Sequence, residues 1–283
     1  MNLLKSLTFS VLGMSLLASC DTNDSNTQTF NMGMLYYATS PSGEAYSVGT
    51  TEFSLDYSNV SDCEITASGV LVPGVGNSMT MKYDKLTMSG TTTGFKIVSG
   101  TNASTSVVCS VDGPWMNTTC TINDGDSRIL AMSRSMVFYS ITNAVDPEGA
   151  SLTTSQADKN AYMIQINEAN VNSSTRTLNL LIDNAQFKQN MSEAVQLKNI
   201  NFSISGDRLS FSASELPVYL GVNSPNNAVM TNKYKVKDLS GSGKIGGDYS
   251  VSFTWQEIDE ESTVEYQVQA TLKNLLSTTS STN

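Results

Sequence analysis

The sequence predicts an all-β protein built from two tandem antiparallel β-domains that follow a cleaved leader. Three observations carry this prediction. Apolar residues recur at every second position in short runs, Gly, Asn, Asp and Ser interrupt those runs, and the pattern of the first half returns in the second. Of the 283 residues, 39% are hydrophobic and only 15% are charged, which suits strands with polar turns better than helices.

Residues 1–19 have the features of a signal peptide. Lys5 supplies a positive charge, and the apolar stretch 7–17 is too short to span a bilayer as a mature helix. Leu17-Ala18-Ser19-Cys20 fits the lipobox pattern of bacterial lipoproteins, so we expect cleavage before Cys20 and transfer of acyl chains to its thiol and amine. Two or three such chains anchor a protein stably to a membrane. The alternative is an ordinary secretory signal that happens to contain a cysteine.

Residues 20–28 form a polar tether after the leader. Asp21 and Asp24 lie just behind the lipidated cysteine, and this arrangement resembles the surface-export signal of Bacteroidetes lipoproteins. The resemblance implies an outer-membrane lipoprotein displayed on the cell surface. Attachment that faces the periplasm is the alternative.

The first predicted β-domain spans residues 29–133. Its runs alternate strictly, so each strand presents one face to a core and the other to solvent. The alternating residues are Met32, Met34 and Tyr36, then Phe53, Leu55 and Tyr57, then Met79, Met81 and Tyr83 with Leu86 and Met88.

The second predicted β-domain spans residues 134–275 and repeats the run pattern of the first, while the Ser/Thr-rich stretch 276–283 is expected to fray. One large sandwich in place of two domains is the alternative. The runs of the second domain are Tyr162, Ile164 and Ile166, then Leu178, Leu180 and Ile182, then Ile200, Phe202 and Ile204, then Val251, Phe253 and Trp255, then Val264, Tyr266 and Val268.

Two hairpins close this second domain. Residues 236–239 and 248–251 flank a glycine-rich turn region at 240–247, and Trp255 and Val264 flank an acidic tip at 256–262. The run 239–255, Leu-Ser-Gly-Ser-Gly-Lys-Ile-Gly-Gly-Asp-Tyr-Ser-Val-Ser-Phe-Thr-Trp, is similar to the end of calycin-like lipoprotein domains of Bacteroidales, as are the paired strands in 178–213. That resemblance implies β-barrels or strongly curved sheets.

The charge and the residue inventory exclude several classes of function. The net charge is −10 and the sequence contains no cluster of Lys and Arg, so nucleic acid is not an expected partner. The chain has no histidine, which removes Ser-His-Asp and Cys-His catalysis and His-ligated zinc. We therefore expect no enzyme activity, no catalytic or metal site and no cofactor.

Three cysteines remain once Cys20 is lipidated. Cys109 and Cys120 flank a short loop between two predicted strands and could form a disulfide in the oxidising envelope. Cys63 could pair with either of them instead, or stay buried as a small apolar residue.

Three further features could form a binding or catalytic site, but each also has an ordinary structural interpretation. Residues 123–127 are rich in oxygen ligands but lack the downstream Glu of an EF-hand, so an Asp-Gly turn is expected. Glu257 and residues 259–261 could serve as hydrolase carboxylates or hold a cation, yet a hairpin tip would direct them into water. Trp115 and Trp255 could stack on sugars, although aromatic residues in alternating strands usually fill cores.

The sequence thus predicts a lipid-anchored envelope protein that binds a glycan, a lipid or another small apolar ligand without catalysis. Adhesion, or assembly into a surface complex, is the first alternative and would need a large exposed apolar patch. A carboxylate hydrolase is the second, and would need two buried acids that face each other across a cleft.

Lipidation of Cys20 predicts that the protein incorporates radioactive palmitate in its own host and that Cys20→Ala abolishes the label. Cys63→Ala is the matched control, because it removes a thiol outside the lipobox, and we expect it to keep the label. A labelled Cys20→Ala protein would show that the lipobox interpretation is wrong.

Overall fold

The computed structural model describes residues 27–56, 58, 61–73, 78–91, 94–98, 105–112, 115–124, 127–154, 160–221 and 228–274. The predicted leader, Cys20, most of the tether and the C-terminal tail therefore lie outside the described residues. Within these ranges the chain forms antiparallel β-strands and one short 3₁₀ helix, Glu168–Asn170. No helix among them is long and apolar enough to cross a membrane.

The first eight strands form a closed barrel in which each strand pairs with the next and the eighth returns to the first. All 14 residues of the first strand pair with the second, and Met34–Thr39 pair with the eighth. The strands are β1 (Thr27–Ser40), β2 (Gly43–Asp56), β3 (Cys63–Leu71), β4 (Ser78–Thr91), β5 (Gly94–Val98), β6 (Thr105–Asp112), β7 (Trp115–Asp124) and β8 (Ser127–Ser133).

The core of this first barrel follows from the alternation along its strands. Successive strand residues point to opposite sides, so every second residue of β1 enters the interior. This inward set includes Phe30, Met32, Met34 and Tyr36, which join one buried cluster with residues from β2, β3, β4, β6, β7 and β8. An eight-stranded barrel leaves an interior that side chains can fill, or that admits one small ligand.

The remaining strands form a second sheet, in which β9 pairs with β17 as well as with β10. This pairing joins β9 and β11–β17 into a ring of eight strands, with β10 attached to β9. The strands are β9 (Ser135–Val145), β10 (Ser151–Thr154), β11 (Ala161–Ile166), β12 (Thr177–Ala185), β13 (Glu193–Ser205), β14 (Arg208–Leu220), β15 (Val229–Lys244), β16 (Tyr249–Ile258) and β17 (Thr263–Asn274).

The chain divides into two compact units, and the main division falls between Met136 and Val137. One unit holds the described residues 27–136, with 171–173 and Asn274, and the other holds 137–170 and 174–273. Two tandem antiparallel β-domains are therefore confirmed. The predicted limits 29–133 and 134–275 place the boundary three residues earlier, at a point just before β9 begins.

The glycine-rich segment 240–247 differs from its predicted role as a turn. β15 continues to Lys244, and Gly241 and Gly243 pair with Phe211 of β14 and Tyr249 of β16. A Cβ atom on Gly241 would overlap the Phe211 ring, and one on Gly243 would overlap Tyr249. The glycines are thus strand residues whose missing side chains leave room for aromatic rings.

The cysteines of the first barrel do not pair as expected. In the β6–β7 register Cys109 lies opposite Thr118 and Cys120 lies opposite Val107, so the two cysteines are diagonal neighbours. Diagonal neighbours are about 7–8 Å apart, whereas disulfides usually join Cα atoms within about 6.8 Å. Both are free thiols, and the predicted Cys109–Cys120 disulfide is not formed in this structure. Cys63 is also buried, opposite Leu86.

The fit of the Phe211 ring over Gly241 predicts that Gly241→Ala destabilises the second barrel. Overpacking a core costs about 1–3 kcal/mol, which outweighs the gain of about 0.5–1 kcal/mol from replacing a strand glycine. The free energy of unfolding, measured by urea titration, should fall accordingly. The exposed neighbour Ser240→Ala is the control and should change it by less than about 0.5 kcal/mol. Equal effects from both variants would contradict the packing argument.

Candidate functional site

The end of the second barrel where β12 and β16 end and β13 and β17 begin carries the candidate site. We call it the Glu257 end. There the connection 186–192 joins β12 to β13, and the pair Ala185–Glu193 closes it at its base. Asn184 and Asn190 adopt positive φ angles of 51° and 62°, a conformation that Asn tolerates better than most residues. These two residues let the connection fold over the end of the barrel.

Phe187 is buried although it lies on this connection and not on a strand. Its ring centroid is 5.2 Å from that of Phe253 and 5.0 Å from that of Trp255, with interplanar angles of 81° and 58°. The ring of Tyr234 packs against that of Trp255, with their centroids 4.7 Å apart. We call these four residues the Trp255 cluster. Their centroid distances and tilted planes are those that aromatic pairs prefer.

The indole nitrogen of Trp255 is the main irregularity of the Trp255 cluster. Trp255 is 0% exposed, and its Nε1 has no hydrogen-bond partner among the described residues. Buried polar atoms are nearly always paired, because an unpaired donor costs about 1–3 kcal/mol in desolvation. The buried indole N–H of Trp255 thus has no acceptor among the described residues.

An ionic network lies at the outer side of the same end. Lys188 Nζ is 2.5 Å from Glu257 Oε2, and Lys233 Nζ is 3.7 Å from Glu257 Oε1. Lys188 directly follows Phe187, so its ion pair ties the connection to β16. The half-buried Glu257 therefore departs from the expected solvated tip, whereas residues 259–261 are exposed as expected.

A buried polar cluster forms where β9, β10 and β11 approach this end. Ser140 Oγ and Thr142 Oγ1 are 3.1 Å apart, and Asn160 Nδ2 donates to Thr154 Oγ1 at 3.3 Å. Burial raises the pKa of Tyr162, so its hydroxyl stays protonated, and this buried oxygen has no hydrogen-bond partner among the described residues. Asn160 Oδ1 has no partner within the described part of the chain. Like Trp255 Nε1, this acceptor is a buried group that a bound molecule or a water could satisfy.

The structure brings none of the sequence-predicted site residues into this site except Trp255 and Glu257. Cys109 and Cys120 lie inside the first barrel. Asn123 and Asp124 end β7 and Ser127 begins β8, while residues 125–126 lie outside the described ranges. Among the described residues no Asp or Glu is fully buried, and no three His, Cys, Asp or Glu side chains form a group that could hold a metal ion.

Phe187 and Lys188 are the residues that the pattern analysis missed. They lie in Gln186-Phe187-Lys188-Gln189-Asn190, where one aromatic residue stands among polar ones without alternation. Periodicity reports only regular elements, so a side chain that inserts from a connection leaves no periodic signal. The available signal is the isolated Phe between two predicted strands.

Comparisons with known proteins find weak likenesses in fold. No family model matches the sequence, and no curated protein matches it. A proposed outer membrane protein of Bacteroides fragilis aligns with 86% of this chain and 96% of its own, at 9% identity and a TM-score of 0.33. A variant of transferrin binding protein B of Haemophilus parasuis aligns with 88% of this chain and 76% of its own, at 8% identity and a TM-score of 0.26. A Nostoc punctiforme protein of unknown function aligns with 86% of this chain and 95% of its own, at 7% identity and a TM-score of 0.22.

The thiols of the first barrel predict a pH dependence of stability. Burial raises the pKa of Cys109 and of Cys120 to about 12, while a thiol in the unfolded chain ionises near pH 8.5. The folded state keeps two protons that the unfolded state loses, so their contribution is complete below about pH 8.5 and is lost as the pH rises towards 12.

Replacing both Cys109 and Cys120 by Ala should therefore flatten the fall in the free energy of unfolding between about pH 9 and 11. Each thiol contributes a slope of at most about 1.4 kcal/mol per pH unit. Urea titrations at several pH values measure the slope, with Ser106→Ala on β6 as the control. An unchanged slope in the double variant would show that these thiols already ionise in the folded protein.

Proposed function

We propose that this chain is a lipid-anchored, non-catalytic binding protein of the outer membrane of a Bacteroidetes-type bacterium. Cys20 carries the anchor, and the two barrels extend from the cell surface, with the periplasmic face as the alternative. The second barrel binds its ligand at the Glu257 end. The acyl chains on Cys20 are the contact with the membrane.

The observation that carries the binding proposal is the unpartnered N–H of Trp255 within the apolar Trp255 cluster. Small-molecule sites are typically apolar and aromatic, with a few polar groups that fix orientation. Trp255 Nε1 on β16 is such a donor, and Oδ1 of Asn160, which directly precedes β11, is such an acceptor. A bound molecule that satisfies either atom recovers the desolvation cost that the free protein carries.

The surroundings favour a small apolar ligand among the three classes that the sequence predicts. A glycan presents many hydroxyl groups and would need many polar partners, whereas Ser140, Thr142 and Thr154 already bond within their own cluster. A long acyl chain would need an extended empty channel, and large side chains such as Phe138 and Trp255 already fill the interior. A compact ring-bearing molecule meets both conditions.

Adhesion or assembly into a surface complex is the second candidate function, and one observation favours it. Val229 and Met230 at the start of β15 are 71% and 55% exposed, and they pair with Leu220 and Tyr219 of β14. Adjacent exposed apolar residues mark protein-contact surfaces when they extend into a larger patch.

Native mass spectrometry of the full chain, purified in mild detergent from its own host, tests the binding proposal. We expect a mass above that of the lipidated chain, from a retained small molecule. Trp255→Phe keeps the aromatic stack but removes the N–H donor, so it should reduce the retained fraction, whereas Trp115→Phe should not. A bare mass, with no shift after host lipids and glycans are added, would contradict the proposal. In that case the adhesion function would be supported by a partner protein that co-purifies with the wild-type chain but not with the double variant Val229→Ser, Met230→Ser.

A further inference from the structure

The ring of Phe187 occupies a slot that the barrel itself provides. Phe253 and Trp255 belong to β16 and form the walls of the slot, while Phe187 enters from the connection 186–192. A residue on a connection can withdraw without breaking the pairing of any strand. The slot is therefore a space for one six-membered ring that the chain fills with its own side chain.

The occupant leaves one feature of this slot unused. Trp255 Nε1 is a buried donor, and the phenyl ring of Phe187 carries no oxygen or nitrogen that could accept its hydrogen. An external ring with a carbonyl, ether or aromatic nitrogen acceptor could stack in the same place and also receive this hydrogen bond. The slot thus fits such a molecule better, by one hydrogen bond, than it fits Phe187.

Two contacts and one buried side chain hold the connection in place. Ser192 Oγ donates to Asn184 Oδ1 at 2.6 Å, and Lys188 Nζ contacts Glu257 Oε2 at 2.5 Å. Met191, four residues after Phe187, is also buried. The Lys188–Glu257 pair retains part of its exposure to solvent, with side chains 28% and 18% exposed. Such a pair is weak enough to break reversibly, and salt screens it.

We propose that the slot of Phe187 is the binding site for an aromatic ring that carries a hydrogen-bond acceptor, and that the connection 186–192 is its lid. The ligand replaces the Phe187 ring between Phe253 and Trp255 and accepts a hydrogen bond from Trp255 Nε1. The Lys188–Glu257 ion pair is the latch that keeps the empty site closed. This inference rests on the proposed binding function and specifies its ligand class and its gate.

The two tryptophans of the chain provide a direct readout. In a ¹H–¹⁵N spectrum each gives one indole cross-peak, and Trp115→Phe assigns the peak of Trp255. The probes are acetophenone, a ring with a carbonyl acceptor, and ethylbenzene, a ring of similar size without one. We expect acetophenone to move the Trp255 indole proton downfield in the wild-type chain, and ethylbenzene to cause no downfield shift.

Variants separate the slot from the lid. Phe187→Ala empties the slot and should bind acetophenone at least tenfold more tightly than the wild type, with the same downfield shift. Lys188→Gln keeps the Phe187 ring but removes the ion pair with Glu257, so half-saturation should need severalfold less acetophenone than in the wild type. Added salt should reduce this difference in the half-saturating concentration, because salt already weakens the ion pair of the wild type. Phe53→Ala, which opens a cavity in the first barrel, is the control and should give the same Trp255 shift at the same acetophenone concentrations as the wild type. If Phe187→Ala does not fold, Phe187→Leu should show a smaller gain in affinity and the same shift.

A Trp255 peak that stays fixed in both the wild type and Phe187→Ala up to the solubility limit of acetophenone would overturn the inference. So would equal shifts from the two probes. These failures are distinct from failure of the proposed function, because a wild-type chain that still retains a host molecule in native mass spectrometry binds it elsewhere. If the native mass shows no retained molecule but acetophenone gives the expected shift, the inference that the slot binds a ring is supported and the proposed binding of a host ligand is rejected.

Discussion

Ring closure by eight antiparallel strands is the constraint on which each half of this protein depends. A closed ring has no free edge, and its interior has a volume fixed by the number and stagger of its strands. Every second residue of every strand must share that volume. The inward residues are therefore selected as a set, which explains why large rings such as Phe211 and Tyr249 lie opposite glycines.

The same constraint explains the irregular features of the Glu257 end. A ring of strands is open at both ends until connections cover it, and the connection 186–192 covers this end with a phenyl ring. Strand pairing satisfies backbone groups but leaves the buried indole N–H of Trp255 without a partner among the described residues. Polar side-chain atoms without partners thus occur where side chains fill the interior of a ring of strands, and ligands can use such atoms.

Much of the fold could be predicted from the sequence and almost none of the candidate site. Alternation such as Phe30-x-Met32-x-Met34-x-Tyr36 identifies the strands and their inward faces, because the period of a strand is two. Ring closure, which pairs Met34 with Ser133, depends on contacts about a hundred residues apart that no local pattern encodes. The glycine-rich run around Gly241 predicts a turn, because glycine generally weakens strands, and only the facing Phe211 ring explains why glycine is tolerated in β15. The predicted Cys109–Cys120 disulfide is absent because Cys120 lies two positions away from the residue opposite Cys109, and the sequence pattern does not determine this register.

The pairing of β1 with β8 also affects the folding rate. The first barrel cannot exclude solvent until β1, which begins at Thr27, has paired with β8, which ends at Ser133, and pairing between strands so far apart in sequence is slow. For a chain that folds after export, as proposed, Cys63, Cys109 and Cys120 remain accessible to oxidants throughout that interval. Thiolate exchange and barrel closure are then competing rates, and burial protects the thiols only if closure is faster. The three buried thiols of the finished barrel are therefore expected only when closure is faster than oxidation, and any change that delays closure should produce non-native disulfides in the exported protein.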